Sequence, residues 1–328
     1  MFTDKIILIT GGTGSWGQEL TRNLLLSNPK EIRIFSRNEF AQVDMKQSFD
    51  DPRLSFLIGD VRDADAVVEA CQNVDYVFHL AALKHVPICE YQPQEALKTN
   101  VDGTSNIIRA SILQGVEKVI DVSTDKAVDP INFYGMTKAI GEKLIIRAND
   151  LSEKTRFVCI RGGNVLGTNG SVVPLFKQQL LGKREVTLTS KDMTRFFLTV
   201  SEAIQLLLKA ATVSIGGETF VMKMPACKIT DLIRVLATSL NCNDYRVKEI
   251  GIRPGEKIHE VLISTFESPH TYKFDEQYFV ILPSHPSEKL LNQYKHLVKV
   301  DFSFFRSDYA SMKDEDIVRL LRNGFFIE

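Results

Sequence analysis

The sequence predicts an α/β protein: a Rossmann-type, doubly wound parallel sheet followed by a smaller C-terminal α+β substrate lobe. Three observations predict it. Short β-branched runs alternate with longer amphipathic stretches through the first half of the chain, the pattern of βαβ units. The first such run ends directly in Thr10-Gly11-Gly12-Thr13-Gly14-Ser15-Trp16-Gly17, a glycine-rich strand-to-helix turn. The alternation stops after Arg161, where RGGNVLGTNGSVVPLF is rich in Gly and carries a Pro, as expected where a chain leaves a sheet to build a second lobe.

Taken in order, strands are expected over residues 5–10, 31–35, 54–58, 76–79, 118–122 and 157–160. Helices are expected to fill the gaps, among them residues 95–114 and 134–148, with a further helix over 201–211. The expected division is a dinucleotide-binding domain over 1–164 and a substrate lobe over 165–328, with some later segments returning to the first domain.

At 328 residues the chain can bury a large core. A formal net charge of −1 gives no electrostatic case for nucleic acid or an anionic membrane as partner. The apolar run before Gly11 is too short for a signal-peptide core or a membrane span. A cytoplasmic location follows as the expectation. The five cysteines, Cys71, Cys89, Cys159, Cys227 and Cys242, are scattered without a C-x-x-C pair, so reduced thiols are expected rather than a zinc site or a disulfide framework.

The glycine segment satisfies G-x-G-x-x-G. Glycines there allow a tight turn and let backbone amides at a helix N-terminus approach a pyrophosphate. Gly11, Thr13, Gly14, Ser15, Trp16 and Gly17 are therefore expected to hold a dinucleotide. At the end of the second strand, where a carboxylate would grip a free ribose hydroxyl, the chain has Ser36-Arg37. These suit a 2′-phosphate, so NADP is expected in preference to NAD; the competing reading makes Arg37 a solvated surface charge. Asp60 and Val61, after Gly59, are placed near the adenine, and Ala81-Ala82 near the nicotinamide ribose.

Tyr134 and Lys138 lie four residues apart, on one helical face. An ammonium beside a phenol favours the phenolate, so the pair is expected to lower the Tyr134 pKa toward neutrality for taking a proton from an alcohol. Ser123 and Thr124, at the end of a strand, can place a hydroxyl on the same substrate oxygen.

With these residues in view the chain resembles the extended short-chain dehydrogenase/reductase superfamily. It is most similar there to UDP-N-acetylglucosamine 4,6-dehydratases of the C5-inverting type, associated with pseudaminic acid biosynthesis. The resemblance covers nearly the whole chain and is carried by ITGGTGSWG, FSRNE, IGDVRD, HLAALKHVP, KTNVDGT, STDKAVDPINFYGMTK, GSVVPLF, MTRFF and IGIRPGEKIHEV. It implies oxidation of a UDP-N-acetylhexosamine at C4, loss of water across C5 and C6, and return of the hydride to C6. Thr124 would hydrogen-bond the sugar at C4, with Asp125 as acid and Lys126 as base. A lysine base requires its pKa to fall from about 10.4 toward 7. The resemblance further implies phosphate contacts from Arg195 and Arg253, polar substrate contacts from Asn164 and Glu256, and Lys84 facing the cleft beside cofactor or sugar. His85 is expected to be a packed structural histidine. No metal is implied, and a homo-oligomer, a dimer or a hexamer, is expected.

The chain departs from that family at Gly162, where an aromatic is usual in Arg-Tyr-Gly-Asn, and at Thr168-Asn169-Gly170-Ser171, where Ser-Arg-Gly-Ser is usual. If these changes redirect the last hydride to C4, the product is a 5,6-ene. Two other classes stay open: a nucleotide-sugar 4-epimerase or reductase using Tyr134 and Lys138, and a non-catalytic NADP-binding sensor or scaffold. Asp125-Lys126 favours the dehydratase, since those alternatives have no use for an elimination pair.

Overall fold

The computed structural model describes residues 1–167, 172–309 and 311–327. The first half of the chain runs β1 (Ile6–Thr10), α1 (Ser15–Leu25), β2 (Glu31–Ser36), α2 (Glu39–Phe49), β3 (Leu54–Ile58), α3 (Ala64–Ala70) and β4 (Tyr76–His79). It continues through α4 (Val86–Tyr91), α5 (Pro93–Leu97), α6 (Gly103–Gln114), β5 (Lys118–Thr124), α7 (Phe133–Ala148) and β6 (Arg156–Gly162). These strands lie side by side in the order β3-β2-β1-β4-β5-β6, all parallel. All five residues of β1 are buried, because helices cover both faces of the sheet and a central strand has no solvent side. The strand order reverses between β1 and β4, which opens a crevice at the C-terminal ends of the strands.

The second half adds β7 (Asn164–Leu166), α8 (Val172–Gly182), β8 (Glu185–Leu188), β9 (Thr194–Thr199) and α9 (Val200–Val213), then β10 (Thr219–Met222), β11 (Ala226–Lys228), α10 (Ile229–Ser239) and β12 (Arg246–Glu249). The chain ends with β13 (Val261–Ile263), β14 (Thr271–Lys273), β15 (Tyr278–Ile281), α11 (Glu288–Tyr294), β16 (Phe305–Arg306) and α12 (Asp314–Asn323). β10 joins the main sheet parallel to β6, and β15 and β14 extend it antiparallel, giving nine strands among the described residues. The remaining strands build small sheets, β11-β9-β7, β12-β8 and β13-β16. Their core joins Val173 and Phe176 of α8, Leu232 and Ile233 of α10, Phe197 and Leu321.

One buried ion cluster ties the halves together. Arg161 donates from Nη2 to Glu142 of α7 at 2.6 Å and to Glu267 at 2.8 Å, and from Nη1 to the Leu262 carbonyl at 2.9 Å.

The helix expected over 95–114 is not one regular helix. A π turn, Lys98–Asp102, separates α5 from α6. Its extra residue turns Asn100 inward, where the side chain accepts from Leu83 N at 2.8 Å and donates to Leu83 O at 2.9 Å and Thr137 Oγ1 at 3.0 Å. π turns of this kind are frequent beside functional sites; here it fastens the β4–α4 loop to α7.

Candidate active site

A cleft of about 890 Å³ opens at the C-terminal ends of the strands. Every residue singled out from the sequence for cofactor, hydride transfer or substrate lines it, with Asp125 as the exception.

The phosphate end is set by backbone geometry. Gly11 has φ +67°, and a Cβ there would lie 3.0 Å from the Ala81 backbone; a Cβ on Gly17 would lie 2.3 Å from the Gly12 carbonyl. Only glycine lets α1 start this close to β1. The first turn of α1 has no side-chain cap and no acidic residue, so its amides and positive dipole end face the cleft, as a pyrophosphate needs. At the end of β2, Ser36 is buried and accepts from Gln42 Nε2 at 3.1 Å, while Arg37 is half-exposed, 3.8 Å from Asp60. The residues present therefore fit a dinucleotide.

Below the cofactor end lies a polar chain that sequence reasoning missed. Thr104 Oγ1 donates to the Asn100 carbonyl at 2.8 Å, so it accepts from His79 Nε2 at 3.2 Å; His79 Nδ1 then accepts from Thr10 Oγ1 at 2.8 Å, and Thr10 Oγ1 accepts from Ala81 N at 3.2 Å. These partners assign one tautomer to the ring. Burial, aided by Lys138 and opposed by Asp121, lowers the His79 pKa to about 4. The unfolded chain then binds a proton that the native state refuses, so this contribution to stability is complete above pH 6.5 and is lost on going down toward pH 4. On the order of 3 kcal/mol is at stake. Urea unfolding across that range is expected to show the loss, and His79→Asn is expected to flatten it.

Tyr134, Lys138 and Thr124 come together as the spacing predicts. Asn132 caps α7 by accepting from Gly135 N at 2.7 Å and also donates to the Gly255 carbonyl at 2.7 Å, so one residue holds both α7 and the loop of Arg253 and Glu256. The Thr124 hydroxyl lies beside the Tyr134 phenol. Lys138 is buried, 3.4 Å from Asp121 in β5. Burial opposes its charge, but Asp121 and Tyr134 outweigh that and its pKa is raised. The expected lowering of the Tyr134 pKa is corrected here. Burial pushes it up, and the opposing pull of Lys138, Lys126 and Thr124 does not fully offset this.

The elimination pair differs more from expectation. Asp125 is fully buried, one layer behind the cleft; its Oδ1 accepts from Thr124 Oγ1 at 2.9 Å and Lys126 Nζ at 3.0 Å, while Oδ2 is buried without a hydrogen-bond partner. Lys126 also donates to Asn164 Oδ1 at 3.2 Å and lies 3.6 Å from Glu260. Its pKa does not fall toward 7. Burial and the nearby Arg195 push down, but Asp125 and Glu260 prevail and hold it above the usual lysine value.

Arg195 is also placed differently. Its guanidinium is buried and donates to the carbonyls of Thr194 at 2.7 Å, Ile258 at 3.0 Å and Lys257 at 2.8 Å, so it clamps the 253–260 segment instead of presenting a phosphate fork. Arg253 lines the same cleft from an exposed position. His85 is not packed: it is exposed at the start of α4 and lines the cleft beside Lys84. Gly162 does not line the cleft. A Cβ there would point at Met222 Sδ, 3.2 Å away, and Met224 Sδ, 3.8 Å away, so methionines fill the space toward which an aromatic would project. Residues 168–171 lie outside the described residues.

Asp121, Asn132, His79, Asn100 and Glu260 are the residues that the sequence reading missed. Asp121 had a usable signal, as a charged residue inside the apolar run of β5. Asn100 and Glu260 lie within KTNVDGT and IRPGEKIHEV, motifs read for their neighbours.

The sheet order, the glycine turn and the buried Tyr134-Lys138 pair define an enzyme of the extended short-chain dehydrogenase/reductase class. Within that class, the chain belongs to the polysaccharide biosynthesis protein family, whose profile matches residues 7–282. It is 46% identical over 288 residues to a UDP-N-acetylglucosamine 4,6-dehydratase (inverting) of Campylobacter jejuni, covering 87% of this chain and 84% of the relative. It is 39% identical to a UDP-glucose 4-epimerase of Rickettsia bellii, covering 100% of this chain and 98% of that one. A Methanocaldococcus jannaschii relative described as an uncharacterized membrane protein is 47% identical over 290 residues, 86% of this chain and 87% of the relative; among the described residues here, no helix is long and apolar enough to cross a membrane. The solved structure of Pen from Bacillus thuringiensis superposes with a TM-score of 0.92 at 38% identity, covering 100% of both chains.

Proposed function

We propose that the protein is a UDP-N-acetylglucosamine 4,6-dehydratase that uses NADP. The observation that carries this reading is the Lys126-Asp125 pair, joined at 3.0 Å immediately beside the Thr124-Tyr134 hydroxyls. An epimerase needs a group to take the C4 hydroxyl proton, but none to break the C5–H and C6–O bonds. The named relatives support the substrate class.

The dinucleotide would lie along the α1 turn with its adenosine end at Ser36, Arg37 and Asp60, and it supplies the hydride acceptor and donor. Tyr134 takes the C4 hydroxyl proton, with Lys138 holding the phenolate by charge. Ketone formation at C4 makes the C5 proton acidic. In the resting protein Lys126 is an ammonium. Passing one proton along its hydrogen bond to Asp125 Oδ1 gives a neutral amine facing the cleft and a protonated acid behind it. The amine removes the C5 proton, and the ammonium so formed gives that proton to the departing C6 hydroxyl, which leaves as water. The proton stored on Asp125 returns through Lys126 to C5 as hydride reaches C6, and the proton that Tyr134 took from the C4 hydroxyl then restores the Lys126 ammonium, so that over the whole cycle only water leaves the sugar. Asp125 thus acts through Lys126, which explains its place behind the cleft.

Incubation with UDP-N-acetylglucosamine in deuterated water, followed by proton NMR, tests the assignment. A C6 methyl signal with deuterium at C5 is the expected result. Formation of the C4 epimer with C5 undeuterated would favour the Rickettsia-type activity, and an alkene without a methyl would favour a 5,6-ene product. The cofactor preference rests on Arg37. Arg37→Ala is expected to weaken NADP binding at least about tenfold, as loss of a charge-assisted phosphate contact does, while leaving NAD binding nearly unchanged. Titration of each dinucleotide by intrinsic Trp16 fluorescence measures both. We further infer a cytoplasmic homo-oligomer, consistent with exposed Met136 and Ile140 on α7.

A further inference from the structure

Glu260 lies just before β13, in the second half of the chain, yet reaches the centre of the site. Its backbone is fixed from both sides by Ser307: Glu260 N donates to Ser307 Oγ at 3.0 Å, and Ser307 N donates to Glu260 O at 2.9 Å. The side chain is buried. Oε1 stands 3.6 Å from Lys126 Nζ and 3.6 Å from Arg195 Nε, and Oε2 is buried without a hydrogen-bond partner. A buried carboxylate is stable only beside cations, and these two are its nearest. Glu260 does not line the cleft, so it does not touch substrate.

We propose that Glu260 is a positioning residue for the elimination step, acting with Asp125 to fix the position and charge state of the Lys126 amine. This deepens the dehydratase reading and rests on it for the use to which Lys126 is put. Lys126 has Asp125 on its own turn, Asn164 from β7 and Glu260 from just before β13, so three polar side chains surround its ammonium. The other charged groups around it are Arg195, 3.9 Å from Glu256, the Tyr134 phenol, and Lys257, which donates to the Val128 carbonyl at 2.6 Å. Of the carboxylates, Asp125 shares the proton and Glu260 is too far to receive it directly. Its effect is therefore electrostatic. A negative charge at this distance favours the ammonium by about one pH unit even with water-like screening, and so sets how readily Lys126 gives its proton to Asp125.

The test reads the amine directly, without turnover. Trace acetylation of the full-length protein with acetic anhydride at fixed alkaline pH labels only the neutral fraction of each lysine. Mass spectrometry then gives the rate at Lys126 relative to exposed Lys289, with Lys84 as a second cleft lysine. Glu260→Gln is expected to raise the Lys126 rate about tenfold, the equivalent of one pH unit, with Lys84 unchanged. Glu260→Asp, which retracts the charge, is expected to fall between Gln and wild type; it carries the test if the Gln variant does not fold. An unchanged Lys126 rate in the folded variants, or a parallel rise at Lys84, overturns the proposal, the latter because it would report a loosened cleft. Where the wild type turns over UDP-N-acetylglucosamine, the acidic limb of the rate of C5 deuterium exchange is expected to move to lower pH in Glu260→Gln, since the base is neutralised more easily. A limb that stays in place while activity drops at every pH would also overturn it. Failure of the wild type to act on that sugar counts against the dehydratase reading alone, because the acetylation result stands without it.

Discussion

Lys126→Met is expected to abolish C5 deuterium exchange and methyl formation, with kcat falling by at least about 10³-fold. Removal of one general acid/base group typically costs 10² to 10⁴, and in the proposed reaction a single side chain both takes the C5 proton and passes it to the leaving hydroxyl. The preceding step uses Tyr134, Lys138 and Thr124, none of which changes. The variant is therefore expected to oxidise bound substrate at C4 and stop, leaving a stoichiometric amount of reduced nicotinamide visible by absorbance. Accumulation of reduced cofactor without product separates loss of the elimination from loss of the fold. Methionine keeps the length of the lysine stem but removes the cation that Asp125 and Glu260 share. Like charges in a buried site favour protonation of one partner. Retained C5 exchange in this variant would move the base to another residue.

The parts of this structure that were legible in the sequence are those governed by local rules. Six parallel strands could be placed from β-branched runs because a doubly covered sheet requires continuous apolar residues. The glycine turn and the Tyr134-Lys138 spacing were legible because each is a short-range geometric constraint. What escaped depends on contacts between distant segments. Arg195 and Glu260 come near Lys126 from β9 and from the segment before β13, far along the chain, and no periodicity records that meeting. The ionisation of Lys126 escaped for the same reason. A lysine near another cation reads in sequence as a base of lowered pKa, whereas the fold supplies two carboxylates that reverse the sign. Arg195 looked like a phosphate fork because Arg suits phosphate, but the backbone carbonyls of 257 and 258 occupy its donors. Gly162 looked like a loss at the sugar, yet its Cβ direction leads to Met222. The π turn at Lys98–Asp102 has no signature in apolar spacing, since it shifts the helical phase by a single residue.

A second large effect is expected where α7 touches the turn that carries Asp125 and Lys126. Gly135 follows Tyr134 in the first turn of α7, and a Cβ there would lie 2.1 Å from the Lys126 carbonyl oxygen and 3.0 Å from its carbonyl carbon. Both neighbours are backbone, so no side-chain rotation relieves the overlap. Gly135→Ala must push α7 away from the turn that carries Asp125 and Lys126, parting Tyr134 from Thr124. Displacement of reacting groups by about 1 Å costs on the order of 10²-fold in rate, and overpacking of this kind costs about 1 to 3 kcal/mol of stability. Gly141, farther along the same helix, is the control. A Cβ there meets nothing nearer than the Asn100 carbonyl at 3.5 Å, so Gly141→Ala is expected to keep activity and to gain a fraction of the roughly 1 kcal/mol that alanine holds over glycine in helices. The two substitutions are chemically identical and lie on one helix. A kcat that falls for Gly135→Ala but holds for Gly141→Ala, with thermal unfolding moving in opposite directions, would show that contact with the Lys126 turn makes glycine necessary at 135. Equal activity in both variants would show that α7 and the Lys126 turn can separate without harm, and that the close contact serves packing alone.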